Sequence, residues 1–395
     1  MFKKLERQKV FRDPLYGYIE VNYEIISKLI DSREVQRLRR IRQLSGVSMV
    51  FQTAEHSRFT HSLGCYQMAN LVLEKVTGAL ENLSEYEQLL LLISALLHDV
   101  GHGPYSHAFE EILDTPHEEM TARIIESPLT DINRILVEYQ VNPGDVAAII
   151  RHQSQYKIVE KLISSQLDVD RMDYLSRDAY FTGATYGRID SNRLLRSLII
   201  TKDDVLVRAS GVHSVESYLM SRYHMYFQVY YHPVARAYEL LLEGIYKRIK
   251  DLTEENKKVD ANINEFIRVI KDNSRILDYI ALDDAYVNGF VTQLINSDDE
   301  ILSTLAKAFL NRKLFKYLDV KDDIDVSKYY KNKYYFNESS VSAVAYLANK
   351  EAVDSIKLLT ENGQIVKLED YSPIIKSLAE SSYKKVKRIY YFEVR

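Results

Sequence analysis

The chain has 395 residues, 46% hydrophobic and 27% charged, with a formal net charge of -4, which is apolar material enough for a large buried core in one large domain or two to three ordinary ones. The near-neutral balance gives no global pull toward nucleic acid or an anionic membrane, no stretch approaches the roughly 18 uncharged apolar residues of a membrane span, and the first residues run straight into charged sequence, so a cytoplasmic protein with no membrane partner is expected. A lone cysteine, Cys65, excludes an intramolecular disulfide framework, and the 30 tyrosines do not choose among core, stacking and interface roles.

The first element expected is a hairpin, because Val10–Val21 places short β-prone runs on either side of the turn Asp13-Pro14-Leu15-Tyr16-Gly17. Beyond it most of the chain reads as helix, with apolar residues at three- and four-residue spacing and short polar breaks. Arg37, Arg39, Arg40 and Arg42 read as a solvated basic helix face or as an anion contact. Cys65, Met68, Ala69, Val72 and Val76 share one apolar stripe, which assigns Cys65 to core packing.

Ser84 and Glu87 have the spacing of a capping box opening a helix through Leu89–Leu97, apolar nearly all round, with His98-Asp99 at its C-terminal end. Neighbouring residues on a regular helix point about 100° apart, so both can hold one ion only near such a terminus. The glycine-flanked turn Gly101-His102-Gly103-Pro104-Tyr105-Ser106-His107 follows, and five of the ten histidines fall between 61 and 117. Thr115-Pro116-His117-Glu118 reads as a second capping box with Pro at the first helical position, which sets His117 in a first turn where the positive helix end favours neutral imidazole.

Asp170, Tyr174 and Asp178 share a helical face, with Arg171, Asp173 and Arg177 beside them; a surface salt-bridge ladder would look the same. Arg222, Tyr226 and Tyr230 share another, suiting a nucleotide's phosphate and sugar, although packing produces that pattern too. From about Lys250 the text becomes more charged, with breaks at 254–260 and 321–333. Two β-prone runs, Lys313–Leu318 and Arg388–Val394, predict a small C-terminal α+β region.

The chemistry converges on His61, His98, Asp99 and Asp170. Two imidazoles and two carboxylates form a mixed N/O set that suits a hard or borderline divalent cation and leaves positions for water and a phosphate oxygen, the mark of a hydrolase-type metal site.

Taken in order, Asp13-Pro14-Leu15-Tyr16-Gly17, Gln36-Arg37-Leu38-Arg39, Arg58–Gly64, His98–His107, His117-Glu118 and Asp168–Tyr174 resemble the HD-domain phosphohydrolases over about residues 9–235. Within them the chain resembles the deoxynucleoside triphosphate triphosphohydrolases related to the SAM-and-HD-domain dNTPase, in the short prokaryotic form without a SAM domain. The fold this implies is mainly α: an HD-domain helical core with a small N-terminal hairpin and a minor C-terminal α+β region. It assigns residues 1–250 to the phosphohydrolase core and 251–395 to interface building or regulation.

The activity implied is water attack on the α-phosphorus of a dNTP, releasing deoxynucleoside and inorganic triphosphate. By residue matching, His61, His98, Asp99 and Asp170 are the ligands of one divalent ion per HD site. Mn, Fe, Mg, Zn, Ni and Co all suit them, and Mg could accompany the nucleotide phosphates. His102, His107 and His117 match histidines beside the scissile phosphate, with His117 preferred to His107 as proton donor, and Glu110 replaces an Asp that orients the catalytic His. Arg58, Arg171 and Arg222 match phosphate contacts. Tyr174 and Asp178 match contacts to the sugar and its 3′-hydroxyl, Gln43 and Leu44 the opposite sugar wall, and Tyr230 a ring under the ribose.

Asp31, Gln36 and Arg39 match an activator site for GTP or a dNTP at a subunit interface, which implies a homo-oligomer, dimeric or tetrameric, and allosteric control. Two other readings stay open: an HD phosphodiesterase, nuclease or nucleotidase acting on another phosphoester, and a nucleotide sensor without turnover. Nucleic acid is not the favoured partner.

Overall fold

The computed structural model describes residues 3–320, 325–341, 355–380 and 386–393. The chain begins with a two-stranded antiparallel hairpin, β1 (Lys4–Asp13) and β2 (Gly17–Tyr23), with Asp13 paired to Gly17 and Val10 to Glu20. The turn forms because Asp13 Oδ1 accepts the backbone N–H groups of Leu15 (2.8 Å) and Tyr16 (3.2 Å), while Gly17 takes the left-handed φ of +75° that the turn requires. Ile19 and Val21 point inward and their neighbours outward, so β2 seats the hairpin on the helical core.

Three helices surround the centre. Arg58–Lys75 carries His61, Glu85–Leu97 presents His98-Asp99 at its end, and Val169–Thr182 carries Asp170; the first packs against both others. The capping box at Ser84 is present in both directions, and Leu89 through Leu97 are all buried, as their unbroken apolar run predicts. Cys65, Met68, Ala69, Val72 and Val76 lie in the core as expected.

Two local readings need correction. Thr115 does not cap: its hydroxyl donates to the carbonyl of Leu113 (3.2 Å), Pro116 occupies the cap position without a side-chain bond, and the helix begins at His117. A proline in the cap has neither the N–H nor the side-chain oxygen a capping box needs. His117 nevertheless stands in the first turn. Arg37 leaves the basic face its neighbours share: it is 1% exposed, and its guanidinium donates to the carbonyls of Leu282 (2.7 Å) and Val100 (3.3 Å).

The helix Val212–Met225 runs into a π-helical turn over Tyr226–Tyr230, and Pro233–Glu254 follows with Pro233 in its first turn. The remaining strands are β3 (Leu198–Ile200), β4 (Val205–Arg208), β5 (Lys316–Asp319), β6 (Phe336–Val341), β7 (Lys357–Leu359), β8 (Ile365–Lys367) and β9 (Val386–Tyr391). They make a four-stranded sheet in the order β3-β4-β7-β8 and a three-stranded sheet in the order β5-β9-β6. Both β-prone C-terminal runs therefore supply strands, antiparallel to one another, with Tyr317 opposite Tyr390. In the other sheet β4 and β7 pair in parallel, joining residues 206–208 to 357–359. Part of the expected break at 321–333 lies outside the described residues. No helix among the described residues is long and apolar enough to cross a membrane.

Candidate metal centre

His61 and His98 approach one carboxylate oxygen. Their Nε2 atoms stand 3.0 and 3.5 Å from Asp170 Oδ1, and Asp99 closes the group at 3.8 Å from His61 and 3.4 Å from His98. Donors about 2.1 Å from one ion and at right angles to each other stand about 3 Å apart, so this spacing has the scale of a coordination shell. His98 Nδ1 faces the carbonyl of Ala95 (3.0 Å), while its buried Nε2 has no hydrogen-bond partner. A buried ring nitrogen aimed at two carboxylates without a bond of its own fits a metal ligand.

The sulfur of Cys65 lies 3.6 Å from both ring nitrogens of His61, so one grouping that could hold an ion is His61, Cys65, His98 and Asp170, and a second is Asp99, His102 and His117. The sequence placed Cys65 in the core, where it is, but its helical step of four from His61 also brings it to the centre.

The electrostatics follow from burial and charge. Burial lowers the pKa of His61 and His98, but Cys65, Asp170 and Asp173 around the first and Asp99 and Asp170 around the second outweigh it and raise both. Burial raises Asp99, yet His98, Arg58 and His102 hold it well below the ordinary carboxylate range. His102 is pushed down to about 4 by burial and by the nearby Arg58 and His117, so its ring is neutral at pH 7.

Around this group the expected residues assemble unevenly. His102 and His117 stack at 3.8 Å, nearly parallel, and Glu110 reaches both, at 2.9 Å from His102 Nδ1 and 3.4 Å from His117 Nδ1. The side chain of His107 lies outside the described residues. The guanidinium of Arg58 is engaged, donating to Asp99 Oδ2 (2.5 Å) and to the hydroxyl of Ser106 (2.9 and 3.1 Å). Arg171 pairs with Asp168 and donates to the carbonyl of Ser165 (2.6 Å), and Arg222 donates to Gln166 Oε1 (2.8 Å); the Nε–H of each is buried without a partner. Those two N–H groups suit an anion.

The aromatic wall is continuous with the centre, since the Tyr174 ring lies 6.5 Å from His61 and 6.0 Å from Tyr230. Asp178 accepts from the Tyr230 hydroxyl (2.8 Å) and stands 2.8 Å from His56 Nε2, a partner the sequence reading missed. Gln43 joins from another direction: its N–H donates to the carbonyl of His56 (3.0 Å), its side-chain oxygen is buried without a partner, and Leu44 packs on the core. Asp31, Gln36 and Arg39 form a separate set: Asp31 pairs with Lys9 (2.7 Å), Arg39 Nε donates to Gln36 Oε1 (2.8 Å), and the Arg39 guanidinium covers the ring of Phe59.

Residues 58–178 match the HD domain family, and residues 189–392 match the family described as the HD associated region. The chain is 39% identical to the Bacillus subtilis protein YwfO over 95% of its own length and 90% of that protein's. It is 28% identical to the deoxynucleoside triphosphate triphosphohydrolase SAMHD1 homolog of Dictyostelium discoideum, matching 80% of this chain and 61% of that one. The crystal structure of a phosphohydrolase from Bacteroides thetaiotaomicron superposes with a TM-score of 0.85 at 28% identity, covering 98% of this chain and 100% of the other.

Proposed function

The chain belongs to the HD-domain phosphohydrolases that carry the HD associated region, and we propose that it cleaves deoxynucleoside triphosphates to deoxynucleoside and inorganic triphosphate. The observation that carries this reading is the continuity of the His61–His98–Asp99–Asp170 group with the tyrosine wall of Tyr174 and Tyr230. A His/Asp set of this kind suits metal-assisted hydrolysis, and an aromatic wall beside it suits a nucleotide sugar. Relatives named as deoxynucleoside triphosphate triphosphohydrolases support the same choice.

A divalent ion held by His61, His98, Asp99 and Asp170 would supply Lewis-acid stabilisation of the phosphate and a lowered pKa for the attacking water. The free Nε–H groups of Arg171 and Arg222 bind phosphate oxygens. His117, with Nδ1 against Glu110 and its ring stacked on His102, gives the proton to the leaving 5′-oxygen. Tyr230, held by Asp178, packs under the ribose and selects against a 2′-hydroxyl. Residues 1–250 carry this chemistry and 251–395 the interface or regulation, with Asp31, Gln36 and Arg39 taking an activating nucleotide between subunits.

Chromatography of a dATP and dGTP digest with Mn²⁺ tests the reading. Deoxynucleoside plus triphosphate is expected; monophosphate plus pyrophosphate, or cleavage of a labelled oligonucleotide in preference to dNTPs, rejects it. Tight nucleotide binding without turnover under Mn, Mg, Fe and Co favours a sensor.

A further inference from the structure

The hairpin tip Asp13-Pro14-Leu15-Tyr16-Gly17 has no step in the reaction above, yet it is tied into the metal centre. His61 Nδ1 lies 2.8 Å from Asp173 Oδ2. Arg177 donates to both oxygens of that carboxylate, at 2.8 and 2.9 Å, and the Tyr16 hydroxyl donates to Oδ1 at 2.8 Å. A third arm of Arg177 reaches Asp13 Oδ2 at 2.9 Å. His61, Asp173 and Arg177 are 1%, 0% and 0% exposed and Asp13 is 5%, so water replaces none of these bonds.

We infer that Asp173, locked by Tyr16 and by the Arg177–Asp13 pair, is the positioning residue that fixes His61 for metal binding, which makes the N-terminal hairpin a working part of the centre. The inference rests on His61 being a metal ligand. An ionised carboxylate only accepts hydrogen bonds, so the proton of neutral His61 sits on Nδ1 and the lone pair on Nε2, the atom that faces Asp170 and Asp99.

Four donors converge on Asp173, and turning its carboxylate breaks several bonds at once. Asp13 acts twice, shaping the turn that aims Tyr16 through Oδ1 and anchoring Arg177 through Oδ2. The space is reserved as well: a β-carbon on Gly64 would collide with Asp173 Oδ1 and Arg177 Nη2. A buried ion pair alone is weak evidence for stability, so a packing role and a positioning role predict different measurements.

The test is calorimetric titration of the metal-stripped, full-length protein with Mn²⁺ in the absence of nucleotide. Asp173→Asn should bind Mn²⁺ roughly 10–100-fold more weakly than wild type, and Tyr16→Phe should show a smaller loss in the same direction. Wild-type Mn²⁺ affinity in a folded Asp173→Asn protein overturns the inference, even if its thermal stability falls. Should Asp173→Asn not fold, Tyr16→Phe, which removes one hydroxyl, decides alone: unchanged affinity overturns it. His61→Ala with unaltered affinity removes its premise. Because no substrate is present, failure to release deoxynucleoside rejects the dNTPase reading and leaves this result standing.

Discussion

His98 and His117 are both imidazoles of the centre, but their ring nitrogens face different work. His98 Nε2 is buried without a bond opposite Asp99 and Asp170, whereas His117 Nδ1 leans on Glu110. His98→Ala is therefore expected to lose metal and hydrolysis together, and His117→Ala to keep its metal while hydrolysis falls by roughly 10²–10⁴-fold. Metal content after dialysis and product release measured on the same samples separate the two, and full turnover in His117→Ala contradicts the proton-donor role. Metal binding at His61 and His98 is also linked to protons. The pKa values of His61 and His98 are raised, because burial is outweighed by the surrounding thiol and carboxylates. An ion must displace those protons, so Mn²⁺ affinity should rise with pH through the range above the ordinary histidine value and fall below it. Calorimetry in buffers of different ionisation enthalpy reads the proton release; a pH-independent affinity contradicts the assignment.

At the scale of elements, the loop between the His98-Asp99 helix end and the His107–Leu113 helix is under strain. Tyr105 and Ser106 take φ of +55° and +45°, left-handed values that cost non-glycine residues about 1–3 kcal/mol each. Two clamps hold them. Ser106 accepts from Arg58, and the Tyr105 N–H donates to Asp284 Oδ1 at 2.8 Å, at the start of the helix Asp284–Leu294. Asp284 Oδ2 also accepts the N–H of Arg42 at 3.0 Å, beside Gln43. Asp284→Ala strands two N–H groups and should cost about 2–4 kcal/mol in urea unfolding; a loss below about 0.5 kcal/mol shows that the clamp is idle. Nothing in the sequence announced this contact, because residues 105 and 284 share no local pattern. The hairpin and the Glu85–Leu97 helix were legible because turn chemistry and a capping box act within a few residues. That His61, His98, Asp99 and Asp170 lie close together was legible because short, separated motifs carry them in a recognisable order. The strands β3, β7 and β8 span three residues each, too short for a period of two to register. Asp173 was visible only as one charge in a stripe, since its role depends on Tyr16, 157 positions away.

For the molecule as a whole, the long helix Pro233–Glu254 packs on the helices His107–Leu113 and Glu300–Leu310 and so joins the histidine-rich loop to the C-terminal region. Glu243 lies at that junction, 2% exposed, with Arg236 Nη1 2.5 Å from one oxygen and Lys247 Nζ 3.6 Å from the other. Burial pushes its carboxyl up to about 7, with Arg236 opposing the shift and Glu111 adding to it. In the unfolded chain the same carboxyl titrates near pH 4.3, so the fold favours the neutral form. Its contribution to stability is full below about pH 4.3 and is lost as pH rises through about 7. Glu243→Gln keeps the shape and removes the ionisation. It should match wild type near pH 4 and exceed it by about 2–4 kcal/mol at pH 8. Unfolding curves at the two pH values read the gap, and a gap absent at pH 8 or reversed in sign shows that Arg236 and Lys247 stabilise the carboxylate fully. Glu111 shares this cluster through Lys247 (3.1 Å) and is the neighbour of Glu110, which touches His102 and His117. The same substitution thereby tests whether charge at this helix junction reaches the site: a shift in the pH profile of hydrolysis that accompanies the stability gap requires the His107–Leu113 helix to transmit it, and an unchanged profile confines the effect to packing.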